Sequence, residues 1–165
     1  MNQVAPLGRR PLQHLSIDKL IQFGDHFLVD HPVLDAQHKA IFELGVRIHE
    51  DWRDGGYIDV LRPAVEELSN LMHAHFTHEE RVLDAIGYEG LKGHAAEHQA
   101  MRDELSIVHD RLHAFDKGAK ARGGSVCAPG DALIRFILGM TVGHVAASDM
   151  HYCRALNPTS TRSDC

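Results

Sequence analysis

Histidine is the residue that stands out: the chain has 14 among its 165 residues. Several fall at helix-period spacing inside apolar stretches, with carboxylates beside them. His75 and Glu79 form an HxxxE pair, His94 and His98 an HxxxH pair, and His144 and Asp149 an HxxxxD pair, while His38 stands on an earlier apolar stripe. Residues four apart share one face of a helix, one turn from each other. His75 with Glu79, and His94 with His98, therefore each present two donor groups to one inner point. A lone buried histidine is ordinarily a satisfied core residue. Five histidines and two acids facing one core need a common explanation, because unpaired buried carboxylates cost several kcal/mol or titrate to their neutral form. Two divalent cations supply it: they accept imidazole nitrogen and turn Glu79 and Asp149 into bridging anions.

The HxxxxD pair is the awkward one. Five residues of ideal α-helix turn ~140° past a full revolution. His144 and Asp149 converge only where the helix is locally unwound, and a π-type turn near Val145 to Ser148 would do this; such bulges tend to occur at functional sites. Imidazole suits iron, zinc, copper and nickel. No thiolate is placed to join, which argues against a finger-type structural zinc. Ferritin-like di-iron sites are richer in carboxylate. An imidazole-rich set donates less charge and favours oxygen binding over the making of high-valent iron.

The elements that must position these groups read as four amphipathic helices. The first runs roughly from Asp35 to Asp54, with His38, Ile41, Phe42, Gly45 and Ile48 on one stripe. The second runs from Ile58 to Ile86, its stripe passing from Leu61 and Val65 through Met72, His75, Phe76, Glu79 and Leu83 to Ile86; Pro63 belongs in its first turn, where a missing N–H costs nothing. The third runs from Leu91 to Lys117 behind the short turn Gly87 to Gly90, with Leu105, Val108, Leu112 and Phe115 beyond its histidines. A Gly-rich loop, Gly118 to Gly130, leads to the fourth, Asp131 to Leu156, whose buried candidates include Leu133, Phe136, Met140, Thr141, Val145, Ser148 and Tyr152. The expected fold is all-α, an antiparallel up-down-up-down four-helix bundle with an N-terminal arm. Residues 1–20 read as an extension, 21–156 as the bundle with its arm, and 157–165 as a polar tail. Within the arm, Gly24 and Pro32 act as breakers up to Leu34.

Composition, 44% hydrophobic and 24% charged, is that of an ordinary globular protein. A net charge of -6 with no basic block argues against nucleic acid or an anionic membrane as partner. Met1 to Leu12 has no apolar core of signal-peptide length, and no run approaches the ~18 apolar residues of a membrane span, so a cytoplasmic location is expected. Cys127, Cys153 and Cys165 fit neither a CxxC pair nor a disulfide framework and read as reduced thiols. The remaining histidines read as solvated, although His109 and His113, an i,i+4 pair, could hold a stray ion at the surface and His31 could gate access.

Taken together the motifs resemble the hemerythrin family, and bacterial hemerythrins in particular. Ile21 to Asp25 and Val33 to Lys39 resemble its opening segment, ending in D-x-Q-H-K; His75 to Glu80 matches H-F-x-x-E-E; His94 to His98 matches H-x-x-x-H; His144 to Asp149 matches H-[IV]-x-x-x-D. The resemblance implies a hydroxo-bridged di-iron centre as cofactor and dioxygen as ligand, bound reversibly as hydroperoxide at one iron. It further implies that His94, His98 and His144 cap the saturated iron, that His38 and His75 hold the open one, and that Glu79 and Asp149 bridge. The chain departs from the family at Phe23, where Trp is usual, at Asp30, where Gly is frequent, at Met140, commonly Trp, at Thr141, commonly Leu or Ile, and in its long Gly118 to Gly130 loop. Storage, delivery or scavenging of oxygen, with a protein acceptor as a further partner, is the leading expectation. A sensor, or a redox enzyme acting on peroxide or nitric oxide, is the alternative.

Overall fold

The structure, a computed structural model, describes residues 22–53, 58–118 and 129–159. The terminal extension and tail, the 119–128 loop, Cys127 and Cys165, and the side chains of Phe115 and Thr141, lie outside that description. The chain enters through a 3-10 turn, Asp25–Phe27, and then forms α1 (Pro32–Arg53), α2 (Ile58–Ala85) and α3 (Leu91–Gly118). The last rod is composite: α4 (Pro129–Leu138), a π-helical segment Gly139–Asp149, and α5 (Met150–Leu156). Each helix packs on its sequence neighbour, and α1 also closes against α4, which makes the antiparallel ring of a four-helix bundle.

Helix boundaries follow local chemistry. α1 begins three residues earlier than the apolar pattern predicts, because Pro32 takes the first helical position, where its fixed φ helps and its missing N–H is no loss. Asp35 Oδ1 then accepts the Val29 N–H at 2.8 Å and ties the arm to the first turn. Asp30, just before it, has φ +57°, the left-handed region that favours glycine. α2 closes on Gly87, with φ +68°, through bonds from Gly87 N–H to Asp84 O at 3.0 Å and from Tyr88 N–H to Leu83 O at 2.9 Å. Pro63 is a correction: it lies inside α2, past the first turn, so the helix gives up one backbone bond there. Ile86 is another, since it falls beyond α2 and is 43% exposed.

Two apolar clusters fill the bundle. The larger holds Ile41, Phe42, Ile48, Leu61, Leu68, Met72, Phe76, Leu105, Leu112, Phe136, Ile137, Met140 and Val145. The smaller holds Val29, Leu34, Leu83 and Tyr152. On α1 His38 lies between Leu34 of the smaller cluster and Ile41 of the larger, and on α2 Glu79 lies between Leu83 of the smaller and Phe76 of the larger, so the polar layer has hydrocarbon on both sides. The arm docks on the larger cluster, with Phe23 edge-on to Phe42 at 5.4 Å between ring centroids.

Two further expectations are revised. Leu133–Leu156 is long and apolar enough to cross a membrane by length and composition, with a mean hydropathy of 1.2, yet half of it is buried inside the bundle. Its hydropathy reflects a rod that faces three others. Cys153, fully buried, is disulfide-bonded, with its partner outside the described residues, so it is not the free thiol expected.

Gly45 lets α1 lie close against α4: a Cβ there would stand 2.7 Å from Ile137 Cγ2. In an open helix Gly→Ala stabilises by about 0.5–1 kcal/mol. Here we expect Gly45→Ala to destabilise by about 1–3 kcal/mol through overpacking, and to become neutral or stabilising in an Ile137→Ala background. Urea denaturation of the four proteins of this cycle checks both signs.

Candidate metal centre

All seven predicted donors meet in the polar layer. α1 brings His38, α2 brings His75 and Glu79, α3 brings His94 and His98, and the π segment brings His144 and Asp149. Each is at most 5% exposed. They divide into two overlapping sets, Glu79 with His94, His98, His144 and Asp149, and His38 with His75, Glu79 and Asp149; within each set the donor atoms lie within 4.8 Å of one another. The two carboxylates belong to both. Asp149 Oδ1 is 3.0 Å from His144 Nε2, and its Oδ2 is 3.1 Å from His38 Nε2. Glu79 Oε2 is 2.9 Å from His98 Nε2, 3.2 Å from His94 Nε2 and 3.6 Å from His75 Nε2.

The π segment is what admits the fourth rod. In a π-helix the hydrogen bond spans five residues, so residues five apart stack on one face. Met140 and Val145 are both buried five apart, as are His144 and Asp149. The unwinding predicted as one turn near Val145 to Ser148 extends over 11 residues.

A second layer aims the imidazoles. His98 Nδ1 meets Glu80 Oε1 at 2.8 Å, and Arg102 holds that carboxylate at 3.1 Å while its guanidinium lies 5.0 Å over the Phe76 ring. Phe76 in turn stacks on His98, with centroids 3.9 Å apart. His144 Nδ1 meets Glu97 Oε2 at 3.1 Å, and His75 Nδ1 faces Gln37 Oε1 at 3.4 Å. Holding Nδ1 in this way leaves Nε2 turned inward as a lone-pair donor. Tyr152 donates its hydroxyl to Glu79 Oε1. Glu80, Glu97, Gln37 and Tyr152 were not legible as site residues; only the motif neighbours Gln37 and Glu80 carried a signal, their fixed places beside His38 and Glu79.

Inside the layer, polar atoms go unsatisfied. Both nitrogens of His38, the Nε2 atoms of His75 and His94, Oε2 of Glu79 and both oxygens of Asp149 are buried without a hydrogen-bond partner. Such atoms are rare because each costs free energy. Imidazole lone pairs and carboxylate oxygens converging on two points fit cations. Burial, against the pull of the nearby Glu79, drives the His75 pKa down to about 3, so its imidazole is neutral. Burial pushes Asp149 up, but His144 and His38 outweigh it and hold the carboxyl well below its usual range. Burial and Asp149 likewise push Glu79 up, and the imidazoles of His94, His98 and His75 reverse that. Burial pushes the Tyr152 phenol far up, reinforced by Asp149 and Glu79, so it remains a donor. A neutral His75 beside ionised Glu79 and Asp149 is the protonation state that metal binding requires of those three groups.

A family model described as the hemerythrin HHE cation binding domain matches residues 29–156. The chain belongs to the hemerythrin family. Among its relatives, the bacteriohemerythrin of Pseudomonas aeruginosa (strain LESB58) is 29% identical over 92 residues, covering 55% of this chain and 60% of that protein. The bacteriohemerythrin of Clostridium acetobutylicum is 29% identical over 96 residues, covering 56% of this chain and 74% of that protein. The chain thus spans about three fifths of the length of the Pseudomonas relatives it matches. No solved structure matches it.

Within this hemerythrin chain the noted departures have places. The frequent glycine at position 30 answers the left-handed φ that Asp30 adopts here. Phe23 is the ring that docks the arm, and Met140 is buried in the larger cluster.

In the metal-free protein these pKa shifts set a stability profile. His75 takes up a proton in the unfolded chain near pH 6.5 but in the fold only near 3, so acidification through that window destabilises, by up to about 1.4 kcal/mol per pH unit. His144, raised by Asp149 against the opposing effect of burial, works the other way and loses its contribution as pH rises above its ordinary value. The depressed acids lose theirs only below their ordinary pKa. We expect the urea midpoint of the metal-free protein to peak near pH 6.5 and fall toward pH 4.5; a midpoint flat across that range would contradict the assignment.

Proposed function

We propose that the chain is a non-haem di-iron protein that binds dioxygen reversibly, for storage, delivery or scavenging. The observation that carries this is the unequal division of the donors. One set offers three imidazoles with the two carboxylates, and the other offers two imidazoles with the same carboxylates. With Glu79 and Asp149 bridging, the ion held by His38 and His75 is one donor poorer and keeps a position for a small ligand. The imidazole-rich set and the family point to iron, and a pair of irons supplies reversible electron transfer to and from dioxygen. The name bacteriohemerythrin, borne by the relatives, supports the same reading.

The chain's own part is to hold this site dry. Ile41 and Phe42 lie one turn beyond His38, and Met72 and Phe76 flank His75; all four are buried in the larger cluster. Hydrocarbon there excludes the water that would otherwise carry off reduced oxygen. A surface cavity of about 670 Å³ lies outside α1 against Phe23, Glu43, Arg47, Glu67 and Leu71 and is lined by none of the seven donors. The competing reading, a sensor or a redox enzyme acting on peroxide or nitric oxide, is favoured by one sequence feature: Thr141, three residues before His144, is a hydroxyl residue where the family commonly has Leu or Ile.

Metal analysis comes first, with about two irons expected per chain; His38→Ala and His75→Ala should each lose about one, and Glu79→Gln or Asp149→Asn both. The anaerobically reduced protein should gain visible charge-transfer bands on adding O₂ and lose them on deoxygenation. Bands that decay at once to the oxidised form would sink the carrier reading. Thr141→Leu should slow that decay by roughly tenfold, a barrier change of about 1.4 kcal/mol; an unchanged rate dismisses a role for the hydroxyl.

A further inference from the structure

A second cluster of donors lies away from the polar layer. His109 and His113, one turn apart on α3, face each other with Nε2 atoms 3.0 Å apart. Glu66 reaches them from α2, and the three donor atoms lie within 4.8 Å of one another. The histidines are half-buried and Glu66 is exposed, so the cluster opens to solvent. His109 is 11 residues past His98, about 16 Å along an α-helix, too far to share an ion with the centre already described.

The geometry points to a separate mononuclear site here for a divalent transition ion of imidazole affinity, with zinc as the test ion. Two nitrogens each about 2.0–2.1 Å from one zinc subtend roughly a right angle when they are 3.0 Å apart. A shared proton between the rings would satisfy the two nitrogens alone. An ion satisfies both nitrogens and also draws in the Glu66 carboxylate from the neighbouring helix. Asp110 Oδ1 lies 3.8 Å from His109 Nδ1, beyond hydrogen-bond distance, and adds negative charge beside the cluster. Leu105, Val108 and Leu112 anchor this stretch of α3 in the core, and Leu68 anchors α2 beside Glu66, so the backbone that carries the donors is fixed before an ion arrives. Two imidazoles and one carboxylate leave coordination positions for water. The ion would clamp α2 to α3 at the end of the bundle remote from the first centre.

The test is calorimetric titration of Zn²⁺ into the iron-loaded protein in a non-chelating buffer, which keeps the buried donors occupied. One equivalent per chain beyond the iron is expected, with an affinity reduced at least about thirtyfold in His109→Ala/His113→Ala and about three- to tenfold in Glu66→Gln. All three side chains are partly or fully exposed, and unchanged iron content confirms that each variant folds. Zn²⁺ should also raise the Tm of the parent chain and leave that of the double variant unmoved. No extra equivalent, or one that the double variant binds within twofold of the parent, overturns the proposal.

Discussion

Two carboxylates buried among five imidazoles are the constraint on which the rest of this fold depends. Glu79 and Asp149 are wholly inaccessible and belong to both donor sets. An ionised carboxylate without compensation does not survive in hydrocarbon. The imidazoles around them hold both acids in the ionised form, against burial and against each other. That arrangement demands one contribution from every rod, so the polar layer dictates that four helices, no fewer, meet at one level. The two apolar clusters then act as seals above and below it.

The same constraint explains the least regular element. A fourth helix in ordinary α geometry would turn Asp149 away from the point that His144 faces. The π segment gives up regular hydrogen bonding over Gly139–Asp149 to bring both inward. Among the described residues its exposed positions are small, Gly139, Gly143, Ala146 and Ala147. Beyond Asp149 the rod returns to α geometry in time to seat Tyr152, whose hydroxyl meets Glu79. The π segment therefore sets the register of a second contact to the same carboxylate.

Most of the first layer was legible because buried donors at i,i+4 spacing have few uses. His75 with Glu79 and His94 with His98 announce themselves, and the five-residue gap from His144 to Asp149 announces the unwinding. What escaped lies where pattern carries no weight. Glu97 is half-exposed and looks like surface charge, yet Ser148 and His144 hold its carboxyl below its ordinary pKa and it meets His144 Nδ1. Tyr152 read as core, and its hydroxyl is the part that matters. Helix starts slipped by two or three residues where proline decided them, with Pro32 opening α1 and Pro129 opening α4. The disulfide at Cys153 could not be foreseen from three unpatterned cysteines.

The second layer also fixes where variation can be tolerated. Each inward Nε2 depends on what its Nδ1 meets, and the partners differ: an Arg-braced carboxylate for His98, a solvent-facing carboxylate for His144, an amide for His75. A carboxylate partner raises the basicity of its imidazole more than an amide does. The three-imidazole set therefore contains the two histidines with anionic partners, and the two-imidazole set contains the histidine with a neutral one. The set with fewer imidazoles is thus also the one that holds the histidine with a neutral Nδ1 partner. That asymmetry is written in Gln37, Glu80 and Glu97 rather than in the seven donors themselves.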